Sequence, residues 1–276
     1  MPLDLFVANV TPFSSDGTVD LPLLAAHTRW LAACGLDGFA PTGTTGGFLY
    51  LSTSEKRAIH RTVIAAAGGT RVCPCVWDPS PVAAVELARQ AEADGAWAVF
   101  LPPPLYHTVS AEGVLRWYDR IRAAVTIPVL AYHHPATRNP LTESLVGRLL
   151  SEVGLSGLKD SSGQQERVQA LSSRWPGKVW VGGDGFLGQA ASLGPIAGHV
   201  SGLANGWPSQ AIALRDGSGD PDWLVATRGA LKACGGTAAA VQAALSLGHR
   251  SPLDGVITSQ LSALPPSDFR RWKARP

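Results

Sequence analysis

Lys159 is the residue of this chain best placed for covalent chemistry. It stands in Gly157-Leu158-Lys159-Asp160-Ser161-Ser162-Gly163, at the end of a mostly apolar run and ahead of a polar turn. A lysine held in apolar surroundings has its ammonium destabilised, and the neutral amine attacks a ketone to give an iminium. A lysine whose stem covers a barrel rim while its head stays in water would use the same residues. Tyr132-His133-His134-Pro135 ends another apolar run. A tyrosine there can move protons at a reacting centre, or simply bury its ring and leave its hydroxyl wet. The two histidines invite a metal. Neighbours in a strand face opposite ways, however, so they do not readily share one ion, and no metal site is expected.

Two glycine-rich segments could receive a ligand. In Gly43-Thr44-Thr45-Gly46-Gly47 the glycines let backbone N–H groups come close and the hydroxyls add donors, which suits a carboxylate; a plain turn has the same composition. Gly182-Gly183-Asp184, with Gly198 to Asn205, opens room for a ligand or for close helix–strand packing. Cys73-Pro74-Cys75 lacks the spacing and the second ligand pair of a zinc site, and reads as two small apolar fillers on one strand face.

The elements that must position these residues follow from periodicity. Eight short runs rich in Val, Leu and Ala read as strands buried on both faces: Leu5–Val10, Gly38–Thr42, Arg71–Val76, Ala96–Leu101, Pro128–Tyr132, Leu155–Lys159, Val179–Gly183 and Gly198–Leu203. Amphipathic stretches lie between them: Leu21–Cys34, Ser54–Ala67, Pro81–Asp94, Ala111–Val125, Thr142–Leu150, Gln164–Arg174 and Gly185–Leu193. Asp20 is a good N-cap for the first, and Pro81 suits a helix start. This alternation predicts an α/β fold, a (β/α)8 (TIM) barrel, rather than a doubly wound sheet. Residues 1–207 would form the barrel core through the eighth strand. Residues 208–276 would supply the last barrel helix and a short C-terminal helical extension, with helices over Trp223–Ala233 and Thr237–Leu247. In a barrel the working residues sit where strands end, which is where Thr44, Tyr132, Lys159 and Asp184 fall.

Composition narrows the function classes. With 45% hydrophobic and 16% charged residues a large core is available, and with a net charge of +2 and no basic block a nucleic-acid partner is not expected. Met1 to Phe13 is too short and too interrupted for a signal peptide, and no apolar run approaches the ~20 residues of a membrane helix, so a cytoplasmic protein without a membrane partner is expected.

The ordered set of motifs resembles the dihydrodipicolinate synthase/N-acetylneuraminate lyase family. Val10-Thr11-Pro12-Phe13, Gly43–Gly46 with Leu51-Ser52 and Glu55, Tyr132 with Pro135, Lys159-Asp160-Ser161-Ser162-Gly163, Gly183-Asp184 and Gly198…Ser201…Asn205…Pro208 match its landmarks from residue 5 to about residue 210. The resemblance implies roles. Lys159 would be the Schiff-base lysine and Tyr132 the proton carrier, with Thr44 and Tyr106 as its relay. Tyr106 would act in a neighbouring subunit, which implies a homodimer or homotetramer. Thr45, Gly46, Gly47, His133, Arg138, Gly183, Asp184 and Val200 would surround the substrate. No cofactor and no metal would be needed, because the iminium takes up the electron pair.

The chain departs from the family at Gly47 (usually Glu), Leu105 (usually Tyr) and His133 (usually Asn). Arg138 lies one residue beyond the place of the arginine expected to grip aspartate semialdehyde. The expectation is therefore a class I aldolase or lyase joining or cleaving pyruvate, or a related 2-keto acid, and an aldehyde other than aspartate semialdehyde. The rival readings are a 2-keto-3-deoxy sugar acid dehydratase or dihydrodipicolinate synthase using the same imine, and a non-catalytic keto-acid-binding homologue.

Overall fold

A computed structural model of the protein describes residues 3–234 and Val241. Eight strands form one sheet: β1 Asp4–Val7, β2 Gly38–Phe39, β3 Arg71–Val72, β4 Val99–Leu101, β5 Val129–His133, β6 Gly157–Asp160, β7 Val179–Gly182 and β8 Gly198–Ser201. All pairings are parallel, and β1 lies against both β2 and β8. Between β3 and β4 the ring is closed by a parallel bridge, Cys75 to Phe100. There the Phe100 N–H donates to the Pro74 carbonyl at 3.1 Å and the Val76 N–H to the Phe100 carbonyl at 3.0 Å. The fold is the expected (β/α)8 barrel. β2 and β3 are shorter than their apolar runs. Pro41 and Pro74 interrupt them, and a proline has no N–H to donate to the ladder.

The helices are α1 Leu21–Ala33, α2 Thr53–Ala66, α3 Pro81–Ala93, α4 Ala111–Arg122, α5 Glu143–Ser151, α6 Gln165–Arg174, α7 Pro208–Arg215 and α8 Pro221–Ala233. Their starts are written locally. The Asp20 carboxylate accepts from the Leu23 N–H at 2.8 Å, and Ser52 and Glu55 form a reciprocal capping box. The helix expected over Gly185–Leu193 does not form. Two 3-10 turns, Asp184–Phe186 and Ala190–Ser192, take its place, separated by Gly188 at φ +85°. That left-handed conformation breaks a helical run. The helix expected over Thr237–Leu247 lies outside the described residues, Val241 apart.

Side chains fill the barrel. At its N-terminal end Phe6, Trp97 and Trp180 meet with ring centroids 4.7 to 6.2 Å apart, and the Arg71 guanidinium lies over Phe6 and Trp97 at 5.1 and 5.2 Å. Gly38 makes the plug possible, since a Cβ there would stand 2.4 Å from the Phe6 ring. Cys73 and Cys75 are buried free thiols, and burial pushes the Cys75 thiol up to about 11. No helix among the described residues is long and apolar enough to cross a membrane.

Three histidines are buried with the helices and strands, and burial lowers His27 to about 4, His60 to about 3 and His199 to about 4. An unfolded histidine titrates near 6.5, so the unfolded chain binds more protons below that pH. The stability these groups contribute is complete above about pH 6.5 and drains as pH falls toward 4 and 3, each at up to about 1.4 kcal/mol per pH unit. Urea midpoints are expected to fall steadily from pH 7 to pH 5, ahead of carboxylate titration; a flat profile over that range contradicts this account.

Candidate active site

The site begins with strand register. Tyr132 of β5 and Lys159 of β6 are Cα partners, so both side chains leave the sheet on the same face. The Lys159 amine lies 4.2 Å from the Tyr132 ring centroid and 4.7 Å from that of Phe100. Lys159 is only 6% exposed, and among the described residues its amine meets aromatic faces and forms no ion pair with a carboxylate. The next residue turns the other way: the Asp160 carboxylate takes the Arg167 guanidinium at 2.8 Å and the Ser162 N–H at 2.9 Å. Gly182 on β7 leaves the space that this lysine needs. A Cβ there would stand 3.2 Å from Lys159 Cε and 2.0 Å from Ser161 Oγ.

The Tyr132 hydroxyl is 3.0 Å from Thr44 Oγ1, which joins the end of β5 to the loop after β2. That loop is held at its base by Thr42, whose φ of +55° is costly for a β-branched residue. The Thr42 hydroxyl lies 2.7 Å from His60 Nε2 and 2.9 Å from the Cys75 carbonyl. Thr11 reaches across from the end of β1 to donate to the Gly46 carbonyl at 2.8 Å.

A cavity of about 490 Å³ opens above the amine at the C-terminal end of the strands. Of the residues singled out in the sequence, Lys159, Tyr132, Thr44, Thr45, Gly183, Asp184 and Val200 line it. Asp184 is buried and its oxygens are taken by Ser201 Oγ at 2.5 Å and the Leu203 N–H at 3.3 Å; burial raises its carboxyl above the ordinary range despite these bonds. Gly46 and Gly47 shape the loop below Thr45 without lining the cavity.

His133 faces away from the cavity. Its Nδ1 accepts from the Leu141 N–H at 3.3 Å, and burial lowers its titration. His134 lines the cavity instead; its Nδ1 accepts from the Ala136 N–H at 3.1 Å, and burial followed by the nearby Lys159 charge lowers its titration. Arg138 lines a separate cleft with Thr108 and Arg148. Tyr106 is 80% exposed on the loop after β4. The Asn139 side chain braces that loop, bonding Pro104, His107 and Val109 main-chain groups at 2.5, 2.8 and 2.8 Å.

Of the cavity residues that the sequence did not point to as site residues, three carry polar side chains: His134, Ser161 and Arg228. Two of them had a signal, since His134 and Ser161 stand two positions after Tyr132 and Lys159, the period at which a strand returns to one face. Arg228, on α8, had none.

A second cavity of about 590 Å³ adjoins the first through Thr44, Tyr132 and His134. Its wall is apolar and includes Phe48, Trp77, Leu105 and Trp117, with Tyr106 at its edge.

Comparison with known proteins decides the family. Residues 1–219 match the model of the dihydrodipicolinate synthetase family. The chain belongs to this family. An uncharacterized DapA-like lyase of Halobacterium salinarum is 32% identical over 273 residues, covering 92% of this chain and 89% of the relative. A 4-hydroxy-tetrahydrodipicolinate synthase of Chlorobium limicola is 33% identical over 216 residues, covering 69% of this chain and 70% of the relative. Among solved structures, a catalytic lysine mutant of the Ruminococcus gnavus sialic acid aldolase superposes with a TM-score of 0.84 at 18% identity, over 95% of this chain and 92% of that one. At that identity the likeness concerns the fold. Family membership thus agrees with the resemblance carried by the sequence motifs.

Proposed function

We propose that this aldolase-type lyase works through a covalent imine on Lys159, joining or cleaving pyruvate, or a related 2-keto acid, and an aldehyde. The observation that carries the reading is the Lys159–Tyr132–Thr44 constellation. A buried amine with no carboxylate partner among the described residues stands in register with a tyrosine whose hydroxyl is bonded to a threonine, at the floor of one cavity.

The steps balance with these groups. The neutral Lys159 amine attacks C2 of the keto acid, and loss of water gives the iminium. A C3 proton leaves and its electron pair moves toward the iminium nitrogen, giving an enamine. C3 then attacks the aldehyde carbon, the new alkoxide takes a proton, and water hydrolyses the iminium to release product and free amine. Tyr132 is the acid and base of these transfers, with Thr44 and Tyr106 as its relay. The keto-acid carboxylate sits against Thr44, Thr45 and the N–H groups of their loop. Gly183, Asp184 and Val200 close the opposite wall. Tyr106 serves a neighbouring copy of the chain, so the working form is at least a dimer; its exposure, beside an apolar cavity that reaches Tyr132, supports this.

Borohydride added with pyruvate is expected to attach a reduced pyruvyl group to the peptide containing Lys159. Lys159→Ala is expected to abolish trapping while leaving the circular dichroism spectrum unchanged. An adduct on Lys178, or none, would falsify the imine. Tyr132→Phe is expected to lower kcat by roughly 10²–10⁴-fold, the range for loss of a positioned acid/base, while still trapping pyruvate; wild-type turnover would remove the tyrosine from the proton path. Light scattering at assay concentration is expected to show a dimer or larger, and an active monomer would end the role given to Tyr106.

A further inference from the structure

We propose that the Arg228 guanidinium holds an anionic group at the far end of the substrate, so that the aldehyde partner carries a terminal carboxylate or phosphate. This rests on the Lys159 imine reading and names the substrate class for it.

Arg228 belongs to α8, beyond the eighth strand, yet it lines the same cavity as Lys159. The helix is anchored through Leu224, Thr227 and Leu231, all buried. Arg228 is one turn from Leu224 and flanks that stripe, on the side toward the barrel mouth. Its guanidinium lies over the backbone of Gly185. Nη2, Cζ and Nη1 are 3.1, 3.4 and 3.5 Å from where a Cβ at that position would stand. A side chain at 185 would press on the guanidinium, which would have to give by a few tenths of an ångström.

Charge balance gives the arginine its purpose. The cavity is lined by two basic side chains, Lys159 and Arg228, and one carboxylate, Asp184. Asp184 is buried beneath the surface and its oxygens are already engaged by Ser201 and Leu203. Among the described residues no hydrogen bond or close ion pair engages the Arg228 guanidinium, and Asp184 reaches it only through its field. In the imine reading the keto-acid carboxylate balances the iminium. Arg228, exposed at the rim of the same chamber, is then left without a protein counter-charge among the described residues, and a guanidinium fork is the geometry that recognises carboxylate or phosphate oxygens. His134 and Ser161 add polar groups to the same wall. The Arg138 side chain, in its separate cleft, leaves this task to Arg228.

Imine trapping tests the inference without requiring turnover. Enzyme is equilibrated with a keto acid over a concentration series, borohydride is added, and the modified Lys159 peptide is quantified. 2-Oxoadipate is compared with 2-oxohexanoate, of equal length but ending in a methyl group. 2-Keto-3-deoxy-6-phosphogluconate is compared with its unphosphorylated form, and pyruvate serves as the common control. The anion-ended member of at least one pair is expected to half-saturate at about tenfold lower concentration, as a charge-assisted contact at a partly wet site allows. Whether the carboxylate or the phosphate pair shows the preference identifies the anion. Arg228→Gln is expected to erase the preference and Arg228→Lys to keep part of it, both with pyruvate trapping unchanged. Equal half-saturation within both pairs in the wild type, or a preference that survives Arg228→Gln, overturns the assignment. Failure of pyruvate itself to trap on Lys159 overturns the imine reading, an outcome the control reports separately from either pair.

Discussion

A lysine amine enclosed by aromatic rings at the end of a parallel strand is the constraint on which the rest of the site depends. Such a group is free to react only where neighbouring residues leave room for it and no carboxylate holds it as an ammonium ion. Strand alternation meets the second condition. It sends Lys159 into the barrel and Asp160 out to Arg167, so the adjacent acid is engaged elsewhere. The first condition is met by Gly182, which leaves the space beside Lys159 Cε. Phe100 and Tyr132, packed edge to face with centroids 5.5 Å apart, offer the amine their π faces.

Around that amine the loops at the strand ends are tied to one another as well as to their own helices. Thr44 brings the loop after β2 to Tyr132 on β5, and the strained Thr42 at the base of that loop rests on His60 and the Cys75 carbonyl. Asn139, in the loop after β5, holds the main chain on both sides of Tyr106. A single hydroxyl distance therefore depends on segments from across the barrel. Backbone strain of the kind seen at Thr42 persists only where the surroundings over-determine it, and such positions concentrate at functional sites.

The mouth of the barrel is divided. One chamber is polar and contains the amine and Arg228; the other is apolar, with Tyr106 at its edge. Thr44, Tyr132 and His134 form the partition and face both. In the proposed mechanism the groups that move protons would thus sit where a charged substrate in one chamber meets an apolar surface in the other. Closing the apolar chamber would exclude water and strengthen every charge interaction at the partition.

The sequence by itself determined the barrel and several of the strand ends that line its cavity. Eight short, mostly unalternating apolar runs, as strands buried on both faces give, alternate with helical stretches, and each strand needs only local composition to be recognised. It also determined the pairing of Lys159 with Tyr132 through an ordered set of motifs, and strand alternation alone would have placed His134 and Ser161 beside them. Local features could mislead where a backbone conformation decided the outcome. Gly188 at φ +85° replaced an apparent helix with 3-10 turns, and Pro41 and Pro74 cut two strands short. Only the tertiary structure decided that Arg228 belongs with the site. It lies 69 positions beyond Lys159 on a helix whose sequence records only its own buried stripe, and the face it turns to the cavity is set by how that stripe packs on the barrel. Periodicity reports which side of an element is buried, but not what it is buried against. That depends on the docking of distant segments, which the local pattern does not encode.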